Sequence, residues 1–228
     1  MKHSEFDNHA HRYDALLDNS IYSFIGADSD YFSELKIKEV FSFCQKIKFE
    51  PLTILNFGCG VGKSEQYFTK YFKNSKLYGF DVSKESIKVA RNKNIKNAYF
   101  FNDESKLENN FFDLIFISNV LHHVDFDKHG GILKDLFNKL KNNSYLFIYE
   151  HNTLNPLTQK VVKECELDNN AKLLHFWYTK GLLKQASFKD IDLNFVLFFP
   201  PKFKKLLFLE KYLKWFPVGG QYYIKAKK

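Results

Sequence analysis

The chain has 228 residues and a mass of 27.0 kDa, enough for one large domain with a sizeable core. Its 45% hydrophobic and 26% charged content excludes a disordered or collagen-like polymer, and three dispersed cysteines, Cys44, Cys59 and Cys165, exclude a disulfide framework or cysteine-rich zinc site. The +8 charge is almost all lysine, with only Arg12 and Arg91 as arginines, a bias that argues against specific nucleic-acid recognition.

Residues 1–50 read as mostly helical, with apolar positions at Leu35, Ile37, Val40, Phe41 and Phe43. After Pro51 the pattern becomes strand, turn, helix, repeated. A strand over 53–57 leads into a Gly-rich turn and a helix from about Gly62 to Phe72. A strand over 76–80 and a helix over 84–91 follow, with Ser83 as N-cap. Strands at 98–101 and 111–117 come next, the latter a continuous apolar run broken only by Asp113, as in a strand buried on both faces. A helix over 132–140, a strand over 145–149 and a helix over 181–186 precede two last strands, 191–198 and 221–226, which are expected to pair antiparallel. The alternation predicts an α/β, doubly wound, Rossmann-like sheet of seven mostly parallel strands with an antiparallel edge strand. The expected organisation is a single domain over 1–228. It comprises an N-terminal helical lid (1–50), a cofactor-binding core (51–150) and substrate-side elements with the last strands (151–228).

The turn Asn56-Phe57-Gly58-Cys59-Gly60-Val61-Gly62 lies after an apolar strand and opens a helix, where glycines let a ligand approach the backbone. Asp81 ends the next strand, 19 residues after Gly62, placed to accept hydrogen bonds from ribose hydroxyls. A phosphate-binding P-loop would need glycine at Phe57, and the dinucleotide fingerprint would need it at Lys63. The observed G-x-G-x-G fits S-adenosylmethionine (SAM), which brings no pyrophosphate. By the carboxyl-end rule for open α/β sheets, Ser118, Asn119, His122 and His123 also fall beside the ligand crevice.

With Gly58, Gly60, Gly62, Asp81, Asp103 and the run Asn119-Val120-Leu121-His122-His123-Val124, the whole chain resembles the class I SAM-dependent methyltransferases, in particular the broad small-molecule group. Tyr13–Asp18, Glu150–Thr158 and Gly219–Tyr223 look like a bacterial subgroup, some of it serving cell-surface glycan pathways. The resemblance implies that Gly58, Cys59 and Gly60 pass over the methionine portion. Asp81 would hold the ribose, Val82 would flank adenine, and Asp103 with Glu104 would reach the adenine amine. Asn119 would serve the amino-acid tail, and Tyr13 would close as a lid. Asn56 departs from the family, since many relatives carry a carboxylate there.

If the acceptor is a hydroxyl, the candidate general bases are His123, His122, Glu150 and His151, all at predicted carboxyl ends of strands. His123 leads, because it lies one turn beyond Asn119. By ligand type His122, His123, Glu150 and His151 could form a metal site, but nothing in their spacing demands one and none is expected. Phe203, Leu206, Leu207, Leu213 and Phe216 recur at helical spacing among lysines, which predicts a basic amphipathic helix over 202–216. The favoured role of that helix is a substrate-cavity wall, with peripheral membrane contact as the other reading. The expected activity is methyl transfer to a small-molecule or carrier-linked acceptor, at oxygen, with a cell-surface glycan or lipid precursor as an example. The rival readings are a non-catalytic SAM-binding sensor or scaffold and a tRNA or protein methyltransferase. No signal-peptide core or long apolar run is visible, so a cytoplasmic location is expected.

Overall fold

Two central strands set the frame because their side chains alternate between two apolar cores. In the computed structural model, β1 (Thr53–Phe57) and β4 (Phe112–Ser118) are neighbours. Leu55, Phe57, Ile115 and Ile117 face one core, and Ile54, Leu114 and Phe116 face the other. Residues 5–13, 15–16 and 29–228 are described; Asp14, Leu17 and Asp18 of the Tyr13–Asp18 segment, and residues 1–4 and the rest of 17–28 in the expected lid, lie outside the described residues.

β2 (Lys76–Phe80), β3 (Ala98–Phe101), β5 (Leu140–His151), β6 (Lys189–Val196) and β7 (Gln221–Lys227) complete a seven-stranded sheet in the order β3-β2-β1-β4-β5-β7-β6. The first five strands pair in parallel, and β7 runs antiparallel between β5 and β6. The strand order therefore reverses between β1 and β4, and the crevice of an open α/β sheet forms at their carboxyl ends.

Helices cover both faces. α1 (Ser29–Lys46) and α2 (Glu65–Tyr71) supply Ile37, Val40, Cys44 and Phe68 to one core. α4 (Phe126–Lys139) and α6 (Phe176–Gln185) supply Leu133, Leu136, Phe176 and Leu183 to the other. α3 (Lys84–Asn92) is capped by Ser83, whose side chain accepts from the Ser86 amide, as expected. α4 starts six residues before the predicted helix, because Gly130-Gly131 weakens the helical signal of its first turns. The remaining helix before β6 is α5 (Pro156–Glu164), with Asn155 as its N-cap.

The basic segment departs from expectation. Residues Lys204–Leu209 form a 3-10 stretch, followed by a single short helix, α7 (Glu210–Leu213), rather than one amphipathic helix. It hangs on the sheet through Glu210, whose Oε1 accepts from the amides of Phe198 and Phe199 at 3.1 and 3.2 Å, and through Lys214 paired with Glu39. Phe203, Phe208, Tyr212 and Trp215 are left exposed. No helix among the described residues is long and apolar enough to cross a membrane.

Asp113, the one charge in the β4 run, has a structural job. Its Oδ2 accepts from the amides of Leu52 and Thr53 and from the Thr53 hydroxyl at 2.8–3.0 Å, and its Oδ1 meets Lys141 at 2.9 Å. It thereby fixes where β1 begins against β4 and β5. Asp113→Ala is expected to lower unfolding free energy by about 2 kcal/mol, since it strips charge-assisted hydrogen bonds from four donors. Urea denaturation measures this, and an unchanged midpoint would contradict the clamp.

Candidate active site

The turn after β1 is built on left-handed backbone. Gly58, Gly60 and Gly62 have φ of +76°, +53° and +73°, a region that strains any other residue. A Cβ at Gly58 would lie 2.3 Å from Cγ2 of Val120, so the absent side chain lets the loops after β1 and β4 meet. The Gly58 and Cys59 amides donate to the Phe80 carbonyl at 2.7 and 2.9 Å. The Gly60 amide donates to Oδ2 of Asp81 at 2.8 Å, and Oδ1 of Asp81 accepts from Ser83. Burial pushes the Asp81 carboxyl up from its ordinary value.

Above this turn lies a cavity of about 230 Å³. Of the residues singled out in the sequence, Tyr13, Asn56, Gly58, Cys59, Gly60, Asn119, His123 and His151 line it. Gly62, Asp81, Val82, Asp103, Glu104, His122 and Glu150 do not. Asp81 and Val82 follow the tip of β2, with Val82 65% exposed, and Asp103 follows β3, where it accepts from the Ser105 amide and hydroxyl. The N-terminal 3-10 turn Glu5–Asn8 reaches this region: Ser83 Oγ donates to Asp7 at 2.7 Å, and Phe6 packs edge-on against His123. The far wall is Leu197, Phe198, Phe199 and Pro200, so the cavity wall expected from 202–216 is made instead by the residues just before it.

Behind the cavity is a buried polar network. Glu150, at the end of β5, accepts from the Val120 and Leu121 amides through Oε1, and its Oε2 lies 2.5 Å from His122 Nδ1. Asp168 Oδ1 stands 3.5 Å from His122 Nε2 and 3.3 Å from His123 Nε2. Burial alone would lower His122, but the carboxylates of Glu150 and Asp168 outweigh it and raise it to about 9. Burial, reinforced by the charge on His122, lowers His151 to about 4. Glu150 and His122 are buried and do not line the cavity; Glu150 supports the loop after β4.

Sequence reasoning missed two residues here. Lys36 sits in the buried stripe Ser29, Phe32, Lys36, Val40 and Cys44 of α1, and its Nζ donates to Ser118 Oγ at 2.8 Å on the cavity wall. Burial pushes its amine down to about 8. A lysine on an apolar helical stripe was the available signal. Asp168, in the short 3-10 turn after α5, carried none.

A methyltransferase domain family matches residues 29–191. The chain belongs to that family. This agrees with the resemblance to class I SAM-dependent methyltransferases, and the sheet order is the one expected of a Rossmann-like methyltransferase fold. Among solved structures, a possible histamine N-methyltransferase from Thermotoga maritima is 17% identical, with TM-score 0.66 and coverage of 98% of each chain. The plantazolicin methyltransferase BpumL, solved with SAH, is 19% identical, with TM-score 0.65 and coverage of 99% of this chain and 100% of its own. A SAM-dependent methyltransferase from Archaeoglobus fulgidus is 19% identical, with TM-score 0.62 and coverage of 91% and 97%. At these identities the likeness is one of fold. No curated protein matches the chain.

Asn56 does not stand without a carboxylate. Its Nδ2 donates to Oε1 of Glu65 at 2.8 Å, while Oε2 of Glu65 is buried with no hydrogen-bond partner. Burial raises the Glu65 carboxyl to about 7. A raised folded-state pKa means the fold holds a proton that the unfolded chain releases above about 4.5. Glu65 therefore favours the fold fully below pH 4.5, relative to its ionised state, and that advantage is lost as pH rises to 7. Glu65→Gln is expected to stabilise the chain by about 2 kcal/mol at pH 8 and to make little difference near pH 5. Thermal melts at both values check the sign, and an equal offset at the two would refute it.

Proposed function

We propose that this chain transfers the methyl group of SAM to an oxygen of a small-molecule or carrier-linked acceptor. The observation that carries the reading is the glycine turn against Val120, opening a crevice between β1 and β4 that continues into a cavity walled by Phe198, Phe199 and Pro200. Gly58, Cys59 and Gly60 would pass along the methionine portion, with Asn119 held toward it by Gln221, whose Nε2 lies 3.3 Å from Asn119 Oδ1. Asp81 has lone pairs left for the ribose hydroxyls beyond its two backbone partners. Val82, apolar and exposed after the tip of β2, suits an adenine face, and Asp103 with Glu104 would reach the adenine amine. Phe6 and Tyr13 line the cavity and would close over the cofactor as a lid.

When bound, the cofactor supplies an activated methyl on sulfur, so the chain chiefly aligns the acceptor, excludes water and takes a proton. His123, the first candidate in the sequence, turns its Nε2 to Asp168. Lys36 suits the proton-accepting role better, because an amine near 8 is partly uncharged at neutral pH and stands on the cavity wall. The groups that bias it are Ser118 by hydrogen bond, Tyr149 beneath it at 5.8 Å, and Glu150 and His151 electrostatically.

Incubation with methyl-labelled SAM and cell extract is expected to place label in the small-molecule or carrier-linked fraction. Label in RNA or protein, or none transferred, would contradict the reading and favour its rivals. With the acceptor in hand, turnover should rise with pH through about 8. Lys36→Arg, which keeps charge but cannot act as base, should lose about a hundredfold in kcat with SAM affinity little changed.

A further inference from the structure

We infer that His122, His123 and Asp168 form a binding site for one divalent first-row transition-metal ion. One donor atom from each of the three residues lies within 4.8 Å of the others, the only such grouping of at least three among the described residues. A tetrahedral ion held at about 2.1 Å keeps its ligands roughly 3.4 Å apart. Asp168 Oδ1 stands 3.5 Å from His122 Nε2 and 3.3 Å from His123 Nε2.

The second observation is an orphan. His122 is buried, and its Nε2 makes no hydrogen bond, although it is aimed at a carboxylate oxygen too far off to bond well. Its other nitrogen lies 2.5 Å from Glu150 Oε2. That contact fixes the ring with one proton on Nδ1, so an ion at Nε2 would take the place of the proton that otherwise faces Asp168. A carboxylate behind a histidine is the arrangement that orients imidazole ligands and raises their basicity. Glu150 is itself held by the Val120 and Leu121 amides, so the supporting shell is satisfied.

His123 and Asp168 line the cavity while His122 lies behind it, so an ion held by the three would have its open coordination side toward the acceptor space. Two imidazole nitrogens and one carboxylate oxygen suit zinc, cobalt or iron(II) rather than calcium or magnesium. The set also differs from the one weighed in the sequence: Asp168 enters, Glu150 moves to the supporting shell, and His151 only neighbours His122, at a ring separation of 5.1 Å. Metal binding is read here without methyl transfer, so it stands or falls apart from the proposed function.

The test uses tag-free full-length protein, stripped with a chelator, dialysed and titrated with Co²⁺. One equivalent should bind with visible ligand-field absorption, Zn²⁺ should displace it, and the melting temperature should rise. His123→Gln and Asp168→Asn should each weaken Co²⁺ binding at least tenfold while keeping the native circular dichroism spectrum. Anomalous diffraction from Co²⁺-soaked wild-type crystals should place the ion between the three side chains, which decides the matter even if a variant fails to fold. Absence of stoichiometric binding, undiminished affinity in both folded variants, or an anomalous peak elsewhere would overturn the inference.

Discussion

The close approach of two loops, allowed by a missing side chain, is the constraint on which the site depends. At Gly58 the chain leaves β1 in a left-handed conformation with Val120 packed where a Cβ would be. Only then can the amides of Gly58, Cys59 and Gly60 turn back to the β2 tip, two onto the Phe80 carbonyl and one onto Asp81. The reversal of strand order between β1 and β4 supplies the opening, and the glycine turn sets its shape. A polar ligand then meets backbone on one side and the loop after β4 on the other.

A second layer holds that loop in place. Glu150 binds two amides of residues 120 and 121 and one imidazole, so a single carboxylate at the end of β5 positions the start of the 3-10 turn carrying His122 and His123. Buried charges of this kind cost desolvation energy and are weak evidence for stability. Lys36 and Asp168 line the cavity and Glu65 is buried against Asn56 on its wall, and perturbed titratable groups gathered in this way are what the proposed chemistry would need.

Much of this was legible because the local signals and the fold agree. Apolar runs bounded by turns marked every strand, Ser83 marked a helix start, and the spacing of Gly58, Gly60 and Gly62 separated the turn from a P-loop. What escaped was tertiary. Lys36 is a polar residue in an apolar stripe, visible as an exception but without a stated partner until Ser118 is placed against it. Asp168 reaches the histidines only because the chain folds back after α5, which no periodicity encodes. The basic segment failed in the opposite sense. Its helical spacing is real, yet only a short turn forms, and Glu210, the lone acid there, proves to be its anchor to the cavity wall.

The central claim, that the crevice over the glycine turn is a nucleoside-thioether site, is tested most directly by a crystal structure with S-adenosylhomocysteine. The account predicts ligand density at the carboxyl ends of β1 and β2, with the ribose hydroxyls on Asp81 and the amino-acid tail beside Gly58–Gly60 and Asn119. Density at another place in the fold, or none in that crevice at saturating ligand, would contradict it.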